Sequence, residues 1–267
     1  MNDRITMGSV SEKLLNFIDT AQLHDSNFEI ALIMVKNYDK VKHMSIAEMA
    51  DLCYVSQATL SRFCRFLGYE NFRHFREDLN FEFTLLDDYS RQFHSLLKTD
   101  DVKAAAMYRE RAVRNIDNAL DEANLKEIRK VTEMIHDTER CAYFSHHFLW
   151  DLGHYFQSKM IMMGKYIELY QSYDNQLECA QSLDEKCLAV ICTPGGSYFN
   201  HYNDLVKVIT KSGASIVVIT QNTNSIYINR ADRIIRCGET NQDDTGKYAV
   251  LAVLDSMVLQ YMKRYIG

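Results

Sequence analysis

A chain of 267 residues, 47% apolar and 25% charged, is long enough for two ordinary domains with separate cores and is not disordered as a whole. Its 36 acidic residues outnumber 30 basic ones, so at a net charge of −6 any nucleic-acid surface has to be a local basic patch. No apolar run reaches the roughly 18–20 residues of a bilayer span, and Met1–Leu15 lacks the apolar stretch of a secretory signal, so a cytoplasmic protein is expected.

Helical periodicity without a convincing strand runs to about Asp137. Within it, Ser45 and Glu48 have the spacing of a capping box and start a helix in which Met49, Ala50, Leu52 and Cys53 face inward. Small Ala50 allows a second helix to cross closely, Val55 plugs the turn, and Ser56 caps that second helix. In the second helix Leu60, Phe63, Cys64 and Leu67 fall at i, i+3, i+4 and i+7, one apolar stripe. The opposite side carries Ala58, Ser61, Arg62 and Arg65, flanked by Gln57 and Thr59. Arginines can pair with guanine edges or phosphates, hydroxyls with either, and a methyl with thymine. Ser56, Gln57, Ala58, Thr59, Ser61, Arg62 and Arg65 are therefore expected on double-stranded DNA, with Arg73, and Arg76 beyond it, gripping the backbone. A solvated basic face on an ordinary helix pair is the plainer alternative.

The run Ser45–Leu79, with Ser56-x-x-Thr59-x-x-Arg62-Phe63-Cys64-Arg65-x-Leu67-Gly68-Tyr69-x-x-Phe72-x-x-Phe75, resembles the N-terminal domain of the RpiR family of transcriptional regulators. Tyr54 departs from a common helix-turn-helix pattern, standing where many such turns place glycine at positive φ.

From Cys141 the pattern changes. Short apolar runs at Cys141–Ser145, Ile167–Tyr170, Cys187–Thr193, Ser215–Thr220 and Ile234–Cys237 alternate with longer helical stretches, which predicts a parallel sheet covered on both faces. The fold expected is thus an all-α helix-turn-helix domain over 1–84, a helical connector over 85–120, and a three-layer α/β domain over 121–267. After an RpiR-like N-terminus, that last part resembles a SIS (sugar isomerase) domain. The resemblance implies a phosphosugar held by the loops after the first and third strands. It places effector contacts at Ser145, His146, His147, Thr193, Gly195, Gly196, Ser197 and Thr220. The chain keeps that design in part only: Ser145 and His147 replace glycines, Leu149 a serine, and Tyr198 a threonine.

The function expected is a DNA-binding regulator, not an enzyme, controlled by a sugar phosphate or related metabolite. A homodimer or homotetramer would present two reading heads to half-sites about 34–36 Å apart. The alternatives are a sugar-phosphate isomerase-type enzyme, for which no acid/base pair stands out, and a regulator whose α/β domain only dimerises. His146-His147 reads most simply as a hydrogen-bonded loop pair. Asp243-Asp244 reads as acidic residues at a helix N-terminus, and Tyr248–Tyr265 as a long packing helix. Seven single cysteines without a C-x-x-C pair suggest buried thiols rather than a metal knuckle or disulfides, and no cofactor or metal is expected.

Overall fold

The computed structural model describes residues 10–21, 25–81, 89–222 and 224–266. The chain divides into two compact units, Gly8–Phe83 and Thr84–Gly267, and the expected boundary between 84 and 85 lies outside the described residues.

The first unit is helical: α1 (Val10–Thr20), α2 (Ser26–Lys36), α3 (Tyr38–Val41), α4 (Ile46–Leu52), α5 (Gln57–Phe66) and α6 (Phe72–Phe81). Its core joins Leu14, Ile30, Met34, Met49, Ala50, Leu60, Phe63, Cys64, Phe75 and Leu79, all buried. The apolar stripe of α5 supplies Leu60, Phe63 and Cys64 to this core and leaves the other face to solvent.

The second unit is a three-layer α/β domain. Its five strands are β1 (Arg140–Phe144), β2 (Ile167–Leu169), β3 (Cys187–Cys192), β4 (Ser215–Thr220) and β5 (Arg233–Arg236). They form one parallel sheet in the order β2-β1-β3-β4-β5. Alternate residues feed two cores, as a pleated strand requires. Tyr143, Leu188, Val190, Val217 and Ile219 pack under α9 (Glu122–Asp137), α10 (Phe148–Met162) and α14 (Gly246–Tyr265). Ala142, Phe144, Ala189, Ile191, Ile216 and Val218 pack under α11 (Tyr173–Gln181), α12 (Ser197–His201) and α13 (Asn203–Ile209). Burial of both faces is what makes these strands continuously apolar. Among the described residues of the link from β4 to β5 there is a short 3-10 turn (Ile228–Arg230) and not the helix that strict alternation predicts.

The segment read as a connector is integral to this second unit. Helix α7 (Arg91–Thr99) packs on α8 (Asp101–Ala119), and α8 packs along α14. Phe93, Ala104, Asn115 and Ala119 are buried there, so this helical pair shares the domain's packing instead of spanning solvent.

Candidate DNA-reading face and effector site

In the helical unit, local hydrogen bonding fixes the geometry. The Ser45 backbone N–H donates to Glu48 Oε2 at 2.7 Å, and the Glu48 N–H donates to Ser45 Oγ at 3.3 Å, closing the capping box at the start of α4. These bonds from Ser45, backbone first, hold the exposed Glu48 carboxyl below its usual pKa. Helix α4 ends in a Schellman motif: the Val55 N–H reaches Ala50 O at 3.0 Å and the Tyr54 N–H reaches Asp51 O at 3.1 Å. Tyr54 therefore has φ 55°, the conformation suspected from its place in the turn. A left-handed non-glycine residue costs about 1–2 kcal/mol.

Ser56 then caps α5, accepting from the Thr59 N–H at 3.1 Å. Arg62 donates to Thr59 Oγ1 at 3.1 Å, and Arg65 Nε to Ser61 O at 3.4 Å, which holds both guanidinium groups against their own helix. Ser56, Gln57, Ala58, Arg62 and Arg65 are exposed, while Thr59 and Ser61 are half-buried at the margin. Arg73 is exposed too but paired with Glu77 at 2.9 Å, so part of its charge is already countered; Arg76 is exposed.

In the α/β unit, strand order reverses between β1 and β3. Chains leave these neighbours in opposite directions and open a crevice beyond their carboxyl ends, the usual place for a ligand in such sheets. The two loops expected to bind an effector, 145–147 and 193–196, both begin at these ends.

The structure brings most of the expected residues together. His146 Nε2 lies 3.3 Å from Ser197 Oγ. Thr193 Oγ1 accepts the Tyr198 N–H at 3.2 Å, and Thr220 Oγ1 donates to Thr193 O at 2.8 Å. Both threonine hydroxyls thus serve to tie the second loop to the sheet. Gly196 has φ 84°, backbone that favours glycine, and a Cβ there would stand 2.9 Å from Asn222 Nδ2, which would have to move. Gly195 and His147 are exposed. His147 has φ 50° and ψ −143°, backbone that glycine adopts readily and histidine does not.

Buried polar groups remain between the loops. Ser145 and His146 are almost fully enclosed, and Ser145 Oγ and His146 Nδ1 have no hydrogen-bond partner. Burial first, then the imidazoles of His147 and His201, push the His146 pKa down to about 3. His146 packs edge-on against Tyr198 and Tyr202.

One further side chain ties these loops together. Gln176 Nε2 donates to Ser145 O at 3.0 Å and to Tyr170 O at 2.7 Å, and its Oε1 accepts from Tyr198 OH at 2.6 Å. Tyr198 in the expected threonine position thereby gains a buried partner on α11. Gln176 carries no local sequence signal, because only the tertiary fold brings α11 to the first loop.

From the second loop a hydrogen-bond network runs along the strand ends. The Gln221 N–H donates to Pro194 O at 3.0 Å, and Gln221 Nε2 donates to Cys237 O at 2.8 Å and Thr240 O at 3.1 Å. Asn115 on α8 donates to Thr240 O at 2.8 Å and Thr245 Oγ1 at 3.1 Å, and accepts from the Glu239 N–H at 2.9 Å. Asp243 and Asp244, read as helix-dipole charges, both have positive φ. Asp243 is buried, accepts the Ser90 N–H at 2.7 Å and pairs with Arg111; only Asp244 keeps an exposed-type role, pairing with Lys247.

The seven cysteines are free and buried, and burial pushes the Cys141 and Cys192 thiols up to about 12. Among the described residues no three His, Cys, Asp or Glu side chains converge as metal ligands. Also among them, no helix is long and apolar enough to cross a membrane.

Residues 13–84 match the family model described as a helix-turn-helix domain of the rpiR family. Over 244 residues the chain is 25% identical to an HTH-type transcriptional regulator of Haemophilus influenzae, covering 87% of this chain and 83% of that one. The helical unit thus matches an rpiR-family helix-turn-helix domain. A second regulator of this kind, from Providencia stuartii, is 21% identical over 234 residues, covering 86% and 80% of the two chains. Among solved structures, Vibrio vulnificus NanR complexed with ManNAc-6P resembles this chain with a TM-score of 0.52 at 17% identity, over 96% of this chain and 92% of that one. The sugar isomerase domain of an RpiR transcription factor from Sphaerobacter thermophilus gives a TM-score of 0.52 at 11% identity, covering 61% and 91%. At these identities the likeness is one of fold, and the fold of the second unit is that of a SIS domain.

Proposed function

We propose that this regulator reads double-stranded DNA with the exposed face of α5 and takes a phosphorylated sugar, or a related phosphate ester, between the loops 145–147 and 193–197. It acts in the cytoplasm as a homodimer or homotetramer, without turning its ligand over. The observation that carries the effector reading is the pair of buried, unpartnered polar atoms, Ser145 Oγ and His146 Nδ1, where the sheet order reverses. Unsatisfied buried polar groups cost about 1–3 kcal/mol each, and a bound ligand recovers that cost. The strained backbone at His147 belongs to the same loop, and such strain concentrates at ligand sites. NanR, a neighbour in fold, was solved with a sugar phosphate, which supports the ligand class.

Thermal unfolding with hexose phosphates, N-acetylhexosamine phosphates and the corresponding free sugars tests this reading. A phosphate ester at about 100 times its Kd adds about 2.7 kcal/mol of stability. The matching free sugar is expected to do much less. A flat response to every phosphate ester would leave the α/β unit as an assembly domain only, and turnover of an ester would favour the isomerase alternative.

A further inference from the structure

Among the described residues, three helices end in the same hydrogen-bonded way, with a left-handed residue just past the helix. After α5 that residue is Gly68, with the Tyr69 N–H reaching Cys64 O; after α10 it is Gly164, with the Lys165 N–H reaching Met160 O. After α4 it is Tyr54. Glycine adopts this backbone at no steric cost, whereas a Cβ does not. A tyrosine could offset that cost by packing, yet Tyr54 is 90% exposed, the highest value among the exposed large apolar side chains of the described residues. The fold thus gains nothing visible from the ring. What distinguishes the position is its neighbourhood: Tyr54 stands two residues before Ser56, the cap of α5, whose exposed Gln57, Ala58 and Arg62 begin the DNA-reading face.

We propose that Tyr54 is a DNA-backbone contact, its phenol donating a hydrogen bond to a duplex phosphate beside the start of the recognition helix. Tyrosine hydroxyls are among the groups that make such contacts, which fix the register of a protein on DNA without reading sequence. An uncharged donor serves this purpose beside the exposed carboxylate of Asp51, one turn back. The inference rests on α5 being the reading helix.

The test compares Tyr54→Gly, Tyr54→Phe and the double variant Arg62→Ala/Arg65→Ala in the full-length chain. Binding to a labelled mixed-sequence duplex is followed by fluorescence anisotropy at low salt, alongside thermal unfolding. Glycine suits the backbone here, so Tyr54→Gly is expected to melt at or above the wild-type temperature while binding the duplex about ten-fold more weakly. Tyr54→Phe should lose most of the same factor. Wild-type affinity in Tyr54→Gly, with binding lost in the arginine variant, overturns the Tyr54 assignment alone. Wild-type affinity in Tyr54→Phe overturns the phosphate hydrogen bond. Wild-type affinity in the arginine variant removes the reading helix itself, and the Tyr54 assignment with it.

Discussion

The proposed DNA-reading face and the proposed effector loops solve opposite problems. On α5 the functional groups are in water: Arg62 and Arg65 are exposed, lightly tethered to Thr59 and Ser61, and nothing has to fold around them. Between β1 and β3 most of the groups are enclosed, and Thr193, Thr220, Gln176 and Tyr198 are committed to other residues while Ser145 Oγ and His146 Nδ1 are left without a partner. A site of the first kind is altered by deleting side chains at little cost to stability. In a site of the second kind binding and stability share the same hydrogen bonds, so the two cannot be changed independently. Both sites nevertheless hold a non-glycine residue at positive φ, Tyr54 in one and His147 in the other.

The sharpest way to break this comparison is to remove the exposed arginines. Arg62→Ala with Arg65→Ala is expected to weaken specific operator binding at least a hundred-fold in a gel-shift assay, because each base or phosphate contact is worth about 1–3 kcal/mol. The unfolding temperature should stay within a degree or two of wild type. A large loss of stability would mean that these side chains are structural after all.

Next in size is the enclosed network. Asn115→Ala takes the side-chain acceptor from the Glu239 N–H and one of two partners from the Thr240 O, which keeps Gln221, and from the Thr245 hydroxyl, which keeps Gln242 O, and should cost about 3 kcal/mol in urea unfolding. Operator affinity measured below the unfolding range should change far less. The reverse pattern would show that α8 is a signalling element rather than a structural one.

The buried imidazole gives a pH signature. His146 titrates at about 3 in the folded chain against 6.5 when free, so between those values the unfolded state binds the extra proton. Stability contributed by the neutral ring is complete above about pH 6.5 and falls as the pH falls, by about 1.4 kcal/mol per pH unit. His146→Phe keeps an aromatic ring against Tyr198 and Tyr202 and should flatten that slope in urea midpoints taken between pH 6.5 and 4.5. An unchanged slope would place the acid sensitivity elsewhere.

The smallest effect sharpens the helical side. Ser45→Ala opens the capping box and should cost about 1 kcal/mol, read by thermal unfolding, with operator binding altered only through the fraction folded.

What the linear chain specified was everything governed by local geometry. The capping box at Ser45, the cap at Ser56 and the 3.6-residue stripe of α5 are contacts within a few residues, and all appear in the structure. The five strands were visible for a similar reason, since a sheet buried on both faces demands continuous apolar runs. Even the left-handed Tyr54 could be suspected from its place in the turn. Tertiary structure alone decided the rest. It folded α7 and α8 onto α14, turned Asp243 from a helix-end charge into a buried partner of Ser90 and Arg111, and brought Gln176 to the first loop. Each joins residues tens of positions apart in the chain. Such a pairing is set by how layers pack and by the need to satisfy polar groups once they are buried, and no local pattern encodes it.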